Sequence, residues 1–153
     1  MKRFSIVLLI RHPSIDPRII SDEFKLEPYA FAKMGEPRAA PNGTPLPGCS
    51  DRSWWKHIFD YEVETRFFEE MARLLDQLAL HKDFFLKIAK EGGNAQLYFN
   101  LPGEVNQGDT AKPSMLKLMS ELELHLGVEV FPDVNYRNSK EYADVKGITF
   151  ITR

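Results

Sequence analysis

The chain has 153 residues, 43% hydrophobic and 27% charged, a balance that excludes a chain disordered throughout. Twenty Lys and Arg against 22 Asp and Glu give a net charge of -2, so no basic excess supports nucleic-acid binding, which rests on neutralising phosphates. One cysteine, Cys49, excludes an internal disulfide framework and a cysteine-based zinc site.

The first predicted element is Phe4 to Ile10, apolar on both faces and therefore read as a central strand with neighbours on both sides. Arg11 and His12 follow it at once, and no small-residue cleavage site appears, which argues against a targeting segment. No apolar run reaches the ~20 residues that a membrane span needs. The expected setting is the reducing cytoplasm of a bacterium, with no membrane partner. Asp16-Pro17 opens a helix: Asp16 can accept from a free backbone N–H, and Pro17 suits the first helical position. That helix runs to about Phe24. Tyr29 to Met34 reads as a short strand.

Gly35 to Gly48 is the unusual stretch, since seven of its fourteen residues are Gly or Pro. It reads as irregular structure, part of a Gly/Pro-rich loop over 35–52 with a turn at Asn42-Gly43. The prolines reduce the entropy lost on ordering, so the loop is expected to be ordered and packed, with Leu46 anchored in an apolar gap. Arg11, with five donors, is the expected brace for its carbonyls. Ser53 to Glu62 then has the aromatic density of a strand. Trp54, Lys56, Ile58 and Asp60 would face one side, Trp55, His57, Phe59 and Tyr61 the other.

Phe67, Phe68, Met71, Leu74, Leu75 and Leu78 form one helical stripe, extended by Phe85 and Ile88. An unbroken helix there would be ~40 Å long, so a break near His81 is expected, with Gly92-Gly93 as the stop. Ala95 to Leu101 alternates as a strand, with Ala95, Leu97, Phe99 and Leu101 inward. A second amphipathic helix starts near Pro113 and carries Met115, Leu118, Met119, Leu122 and Leu126, with Gly127 just past its end. Val128 to Phe131 is a strand. A polar connection over 133–146 leads to a last edge strand at Ile148 to Thr152. The order implies one globular domain over 1–153. Its expected form is a two-layer α+β sandwich, a mixed or mostly antiparallel sheet of about five to six strands under helices, ferredoxin-like in outline.

Four ordered motifs carry a family resemblance: R-H-P-S-I-D-P at Arg11 to Pro17, G-E-P-R at Gly35 to Arg38, N-G-T-P-L-P-G at Asn42 to Gly48, and S-W-W at Ser53 to Trp55. Together they resemble a bacterial family known as domain of unknown function 4279. The resemblance implies a small bacterial protein and supplies no activity. A role in immunity or toxin neutralisation would be in keeping with such families.

The residues that could carry chemistry are Arg11, His12, Asp16, Glu36, Arg38, Trp54 and Trp55. Arg11 and His12 sit at the end of a central strand, where sites often lie. Arg11 could bind an anion and His12 act as acid or base, or both could hold the loop. Glu36 and Arg38 could join Arg11 in a polar cluster, or form a solvated salt bridge worth little. Asp16 reads as a helix cap. One of the two tryptophans should face inward and the other outward. The outward ring, with Tyr61 or Tyr98, could form a patch for a partner. His12, His57, His81 and His125 lack metal-ligand spacing, and neither a metal nor a cofactor is implied. Two readings remain. The first is a non-catalytic protein-binding module of immunity type. The second is a small-molecule or anion binder, or an enzyme, using Arg11, His12, Glu36 and Arg38. The oligomeric state stays open.

Overall fold

A computed structural model describes residues 2–103 and 108–131. The expected connection over 133–146 and the last strand at Ile148 to Thr152 lie outside the described residues.

Strand β1 (Lys2–His12) occupies the middle of a five-stranded sheet. It pairs antiparallel with β5 (Ser53–Val63) along its whole length and with β6 (Asn94–Pro102) on the other side. The expectation of two paired edges is borne out. Strand β2 (Ala30–Ala32) borders β5, and β7 (Leu124–Phe131) runs parallel to β6 at the far edge. The order is β2-β5-β1-β6-β7, with β3 (Pro37–Ala39) and β4 (Pro45–Cys49) forming a separate two-stranded sheet. The two-layer α+β sandwich is thus what forms, with its parallel pair at the edge.

Helices α1 (Pro17–Phe24), α2 (Phe67–Leu78), α3 (Lys82–Lys90) and α4 (Pro113–Glu121) form the second layer. Phe4, Ile6, Leu8 and Ile10 of β1 meet Trp55, Leu97 and Phe99 from the flanking strands and Ile20, Met71, Leu75, Phe85 and Ile88 from the helices. All of these side chains are buried. Each contributes roughly 1.5–3 kcal/mol of hydrophobic stabilisation before the entropy of ordering is set against it. The alternate residues Val7 and Leu9 are buried too, on the face that carries no helix among the described residues.

Two helix ends are instructive. The long stripe breaks where expected, in a 3-10 turn at Ala79–His81. The second amphipathic helix stops earlier than expected. Glu123 adopts the left-handed conformation (φ 54°), and the chain turns there into β7. Gly127 is therefore not a helix stop. It lies in β7 opposite Tyr98, where an added Cβ would fall 2.8 Å from the Tyr98 Cβ. Leu126 likewise belongs to the strand and not to the helical stripe.

The Gly35 to Gly48 stretch is also corrected. It folds as the β3–β4 hairpin, closed by the expected turn at Asn42-Gly43, where Gly43 has φ 84°. Its base is stitched by Gly35 N–H to the Ser50 carbonyl and Ser50 N–H to the Glu36 carbonyl. It is ordered but not packed: every residue of both strands is exposed, and Leu46 is 39% exposed instead of anchored.

Helix α2 is capped from a distance. Its own N-cap, Arg66, supplies no side-chain bond. Asp109 does so instead, accepting from Phe68 N–H at 2.9 Å while also receiving Thr110 N–H and the Arg66 guanidinium. Burial pushes the Asp109 carboxyl up, but these donors outweigh it and hold the group below its ordinary range. A carboxylate depressed in the folded state stabilises fully above about pH 4 and loses that contribution as pH falls through the folded value. Denaturation midpoints measured from pH 6 to pH 2.5 should therefore fall with acid. Asp109→Asn should flatten part of that slope and lower stability at neutral pH by about 1–2 kcal/mol.

Candidate functional site

Strand side chains alternate between faces, so Arg11 and His12, adjacent at the end of β1, point opposite ways. His12 follows Ile10 onto the helix side and is 7% exposed. Its Nδ1 accepts both Ser14 N–H at 3.0 Å and Ile15 N–H at 2.9 Å. Two donors at Nδ1 place the ring proton on Nε2, which donates to the Glu91 carboxylate at 2.9 Å. Both nitrogens are occupied in tying the turn after β1 to the C-terminal end of α3. His12 is a brace, with no nitrogen left for a substrate.

Arg11 lies on the open face, level with Trp54 of β5 and Asn94 of β6. Its guanidinium makes no hydrogen bond or ion pair among the described residues. The expectation that Arg11 braces the Gly/Pro segment is therefore corrected: the segment stands away as a hairpin, and His12 is the residue that holds its own turn. Arg11 instead lines a depression of about 320 Å³ with Leu9, Trp54, Lys56 and Tyr98. Burial pushes the Tyr98 hydroxyl up, Glu129 adds to this, and the Arg11 charge opposes it. Around the strand end a smaller recess of about 120 Å³ joins Arg11 and His12 to Asp51, Arg52 and Asn94. Gly93 closes this end because an added Cβ would meet the Arg11 carbonyl at 2.5 Å.

The remaining predicted residues lie elsewhere. Asp16 caps α1, accepting Arg18 N–H at 3.0 Å, and also holds the Arg18 guanidinium and the Lys33 ammonium. The Arg18 side chain first, then its backbone N–H and Lys33, keep the Asp16 carboxyl far below the carboxylate range. Glu36 sits at the hairpin base, and Arg38 donates across the hairpin to the Pro47 carbonyl at 3.5 Å. Neither forms a hydrogen bond or ion pair with Arg11 among the described residues. The tryptophans divide as expected. Trp55 is fully buried, stacks with Phe24 and donates to Ser21 Oγ at 2.9 Å, whereas Trp54 lines the open face. Tyr98 shares the Trp54 face; Tyr61 stacks on Phe4 on the helix side.

Lys56, Asp51 and Arg52 escaped sequence reasoning as site residues. Their signal is the β1·β5 register, which pairs His12 with Ser53 and Leu9 with Lys56. A second concavity, about 330 Å³, opens between α2 and α4 around Phe68, Ala72, Met115 and Leu118. Among the described residues no three His, Cys, Asp or Glu side chains gather as a metal site, and no helix is long and apolar enough to cross a membrane.

The chain's residues 2–131 match the family model described as Domain of unknown function (DUF4279), and the chain belongs to that family. No curated protein and no solved structure matches it.

The brace assigned to His12 has a direct consequence. His12→Ala leaves the Ser14 and Ile15 N–H groups without their acceptor and should cost about 1–3 kcal/mol, read from chemical denaturation. Arg11→Ala, which removes no internal bond, should leave the midpoint nearly unchanged. The reverse order would show the two roles to be exchanged.

Proposed function

We propose that this member of the DUF4279 family is a non-catalytic binding protein that docks on another protein through the β3–β4 hairpin and the neighbouring edge of β2. The hairpin carries the reading. It is an ordered arm, stitched at its base, whose strand residues are all exposed. Its three strand prolines limit the conformations it must give up when a partner binds. Loops and arms held on a rigid scaffold are common binding devices.

The adjoining chain strengthens it. Tyr29, Phe31 and Met34 lead from the β2 edge into the hairpin, and all three are exposed, Phe31 at 56%. Among the described residues strand β2 has one paired neighbour, β5, so its outer backbone groups can accept an added strand. Exposed aromatic side chains beside an open strand edge supply the anchors that protein interfaces concentrate their energy in. The occupied imidazole of His12 removes the best general acid or base from the alternative, enzymatic reading. Immunity-type neutralisation of another protein, in the cytoplasm of a bacterium, is the version most in keeping with this surface.

The exposed thiol of Cys49, on the outer strand of the hairpin, offers the test. A photo-crosslinker attached there should trap one discrete protein when the labelled chain is returned to its own cells. Tyr29→Ala with Phe31→Ala should weaken capture at least tenfold while the circular dichroism spectrum stays unchanged. Absence of a discrete adduct, or one indifferent to that double substitution, would overturn the proposal.

A further inference from the structure

We infer that the open sheet face at the end of β1 is a binding site for a small flat anion, an aromatic ring bearing a carboxylate or a phosphate. The half-buried guanidinium of Arg11 would hold the anionic group, and Trp54 and Tyr98 would wall the ring. This site is separate from the hairpin and does not depend on it.

Three observations converge. Arg11 is held by the central strand of the sheet, so its backbone is fixed by pairing on both sides. Its guanidinium nevertheless has no ion pair, hydrogen bond or cation–π contact among the described residues. A guanidinium whose five donors find no partner among the described residues is a ready receptor for the two oxygens of a carboxylate or phosphate. The second observation is the shape. The depression of about 320 Å³ has the apolar side chain of Leu9, an indole and a phenol around it. Its volume is at the lower end of small-ligand pockets, and its mixture of apolar surface with a few charged groups, Arg11 and Lys56, is what such pockets share. The third is the treatment of neighbouring positions. Gly127, opposite Tyr98, leaves no room for a Cβ, so the base of the Tyr98 side chain lies close against the β7 backbone at this wall of the depression.

The charges nearby fit one polarity. Lys56 lines the same depression, with its ammonium 5.2 Å from the centre of the Tyr29 ring at the sheet edge. The acidic groups of this face, Glu62, Asp60 and Glu129, stand level with Arg3, Ser5 and Asn100, at least six residues along β1 from Arg11, and Glu62 is paired with Arg3. Asp51 lines the smaller recess beside Arg11, but its carboxylate lies 4.0 Å from Arg52. An anion entering over Leu9 therefore meets Arg11 and Lys56 first.

Probes that separate the two parts of the ligand test this. Adenosine monophosphate and 2-naphthoate each join a ring to an anion. Adenosine and naphthalene-2-carboxamide supply the ring alone, and inorganic phosphate the anion alone. Amide and indole chemical shifts should move at Arg11, Trp54, Lys56 and Tyr98 with at least one ring-bearing anion. That probe should bind at least tenfold more tightly than its uncharged counterpart and more tightly than phosphate. Preference for the phosphate or the carboxylate probe identifies which anion the site takes. Arg11→Ala should reduce its affinity at least tenfold with the melting midpoint unchanged, and Trp54→Ala should reduce it at least tenfold in a chain whose circular dichroism spectrum shows it folded. Phe31→Ala, which leaves the contact between Tyr29 and Lys56 in place, should bind the probe as the unmodified chain does, so failure here is distinct from failure of the hairpin proposal. No ring-bearing anion exceeding its neutral counterpart, or binding that survives Arg11→Ala, would overturn the inference.

Discussion

Burial of β1 on both faces, with paired strands along both edges, is the constraint on which the structure depends. Phe4, Ile6, Leu8 and Ile10 supply one face and Val7 and Leu9 the other. A strand of that character is stable only where every backbone group is paired and both faces are covered. Strands β5 and β6 satisfy the backbone, and the four helices cover the even-numbered face. On the opposite face Val7 and Leu9 are buried and Trp54, Lys56 and Tyr98 of the neighbouring strands are part-buried, although no described helix lies above them.

The same two-residue period separates structure from chemistry at the strand's end. In sequence Arg11 and His12 form one polar pair, and either could be the brace. Register assigns the even position to the helix layer, where a histidine can receive two turn amides and reach Glu91. The odd position goes to the open face, where no described group pairs with a guanidinium. The pair was visible in the sequence as a polar constellation. Its division of roles was not, because it depends on which face the helices cover, a tertiary fact.

Periodicity made most of the sheet and the helices legible. Alternation at Ala95 to Leu101 and the stripe from Phe67 to Ile88 each reflect a single dominant interface, so the pattern survives in the chain. The hairpin was hidden for the opposite reason. Pro37, Pro45 and Pro47 argue against a central strand, but a two-stranded arm gives each strand an outward side where a missing N–H costs nothing. Every residue of its two strands is exposed, so no apolar alternation marked it. Glu36 and Arg38 moved away with it, and the cluster imagined from their nearness in sequence to Gly35 dissolved.

Close backbone approach explains the rest of what sequence could not show. Gly127 follows a helical stripe and reads naturally as its stop, yet the helix ends with Glu123 in the left-handed region. A glycine at 127 is required one element later, where β7 runs beside Tyr98 with no room for a Cβ. Gly93 answers a similar demand against the Arg11 carbonyl, at the opposite end of the same open face. Two of the chain's glycines thus lie beside the two residues, Tyr98 and Arg11, that border the depression from β6 and β1. One face of the sheet is filled by the helix layer. The other carries Arg11, which has no hydrogen bond or ion pair among the described residues, in a depression that Trp54 and Tyr98 also line, with glycine backbone packed closely beside Arg11 and Tyr98.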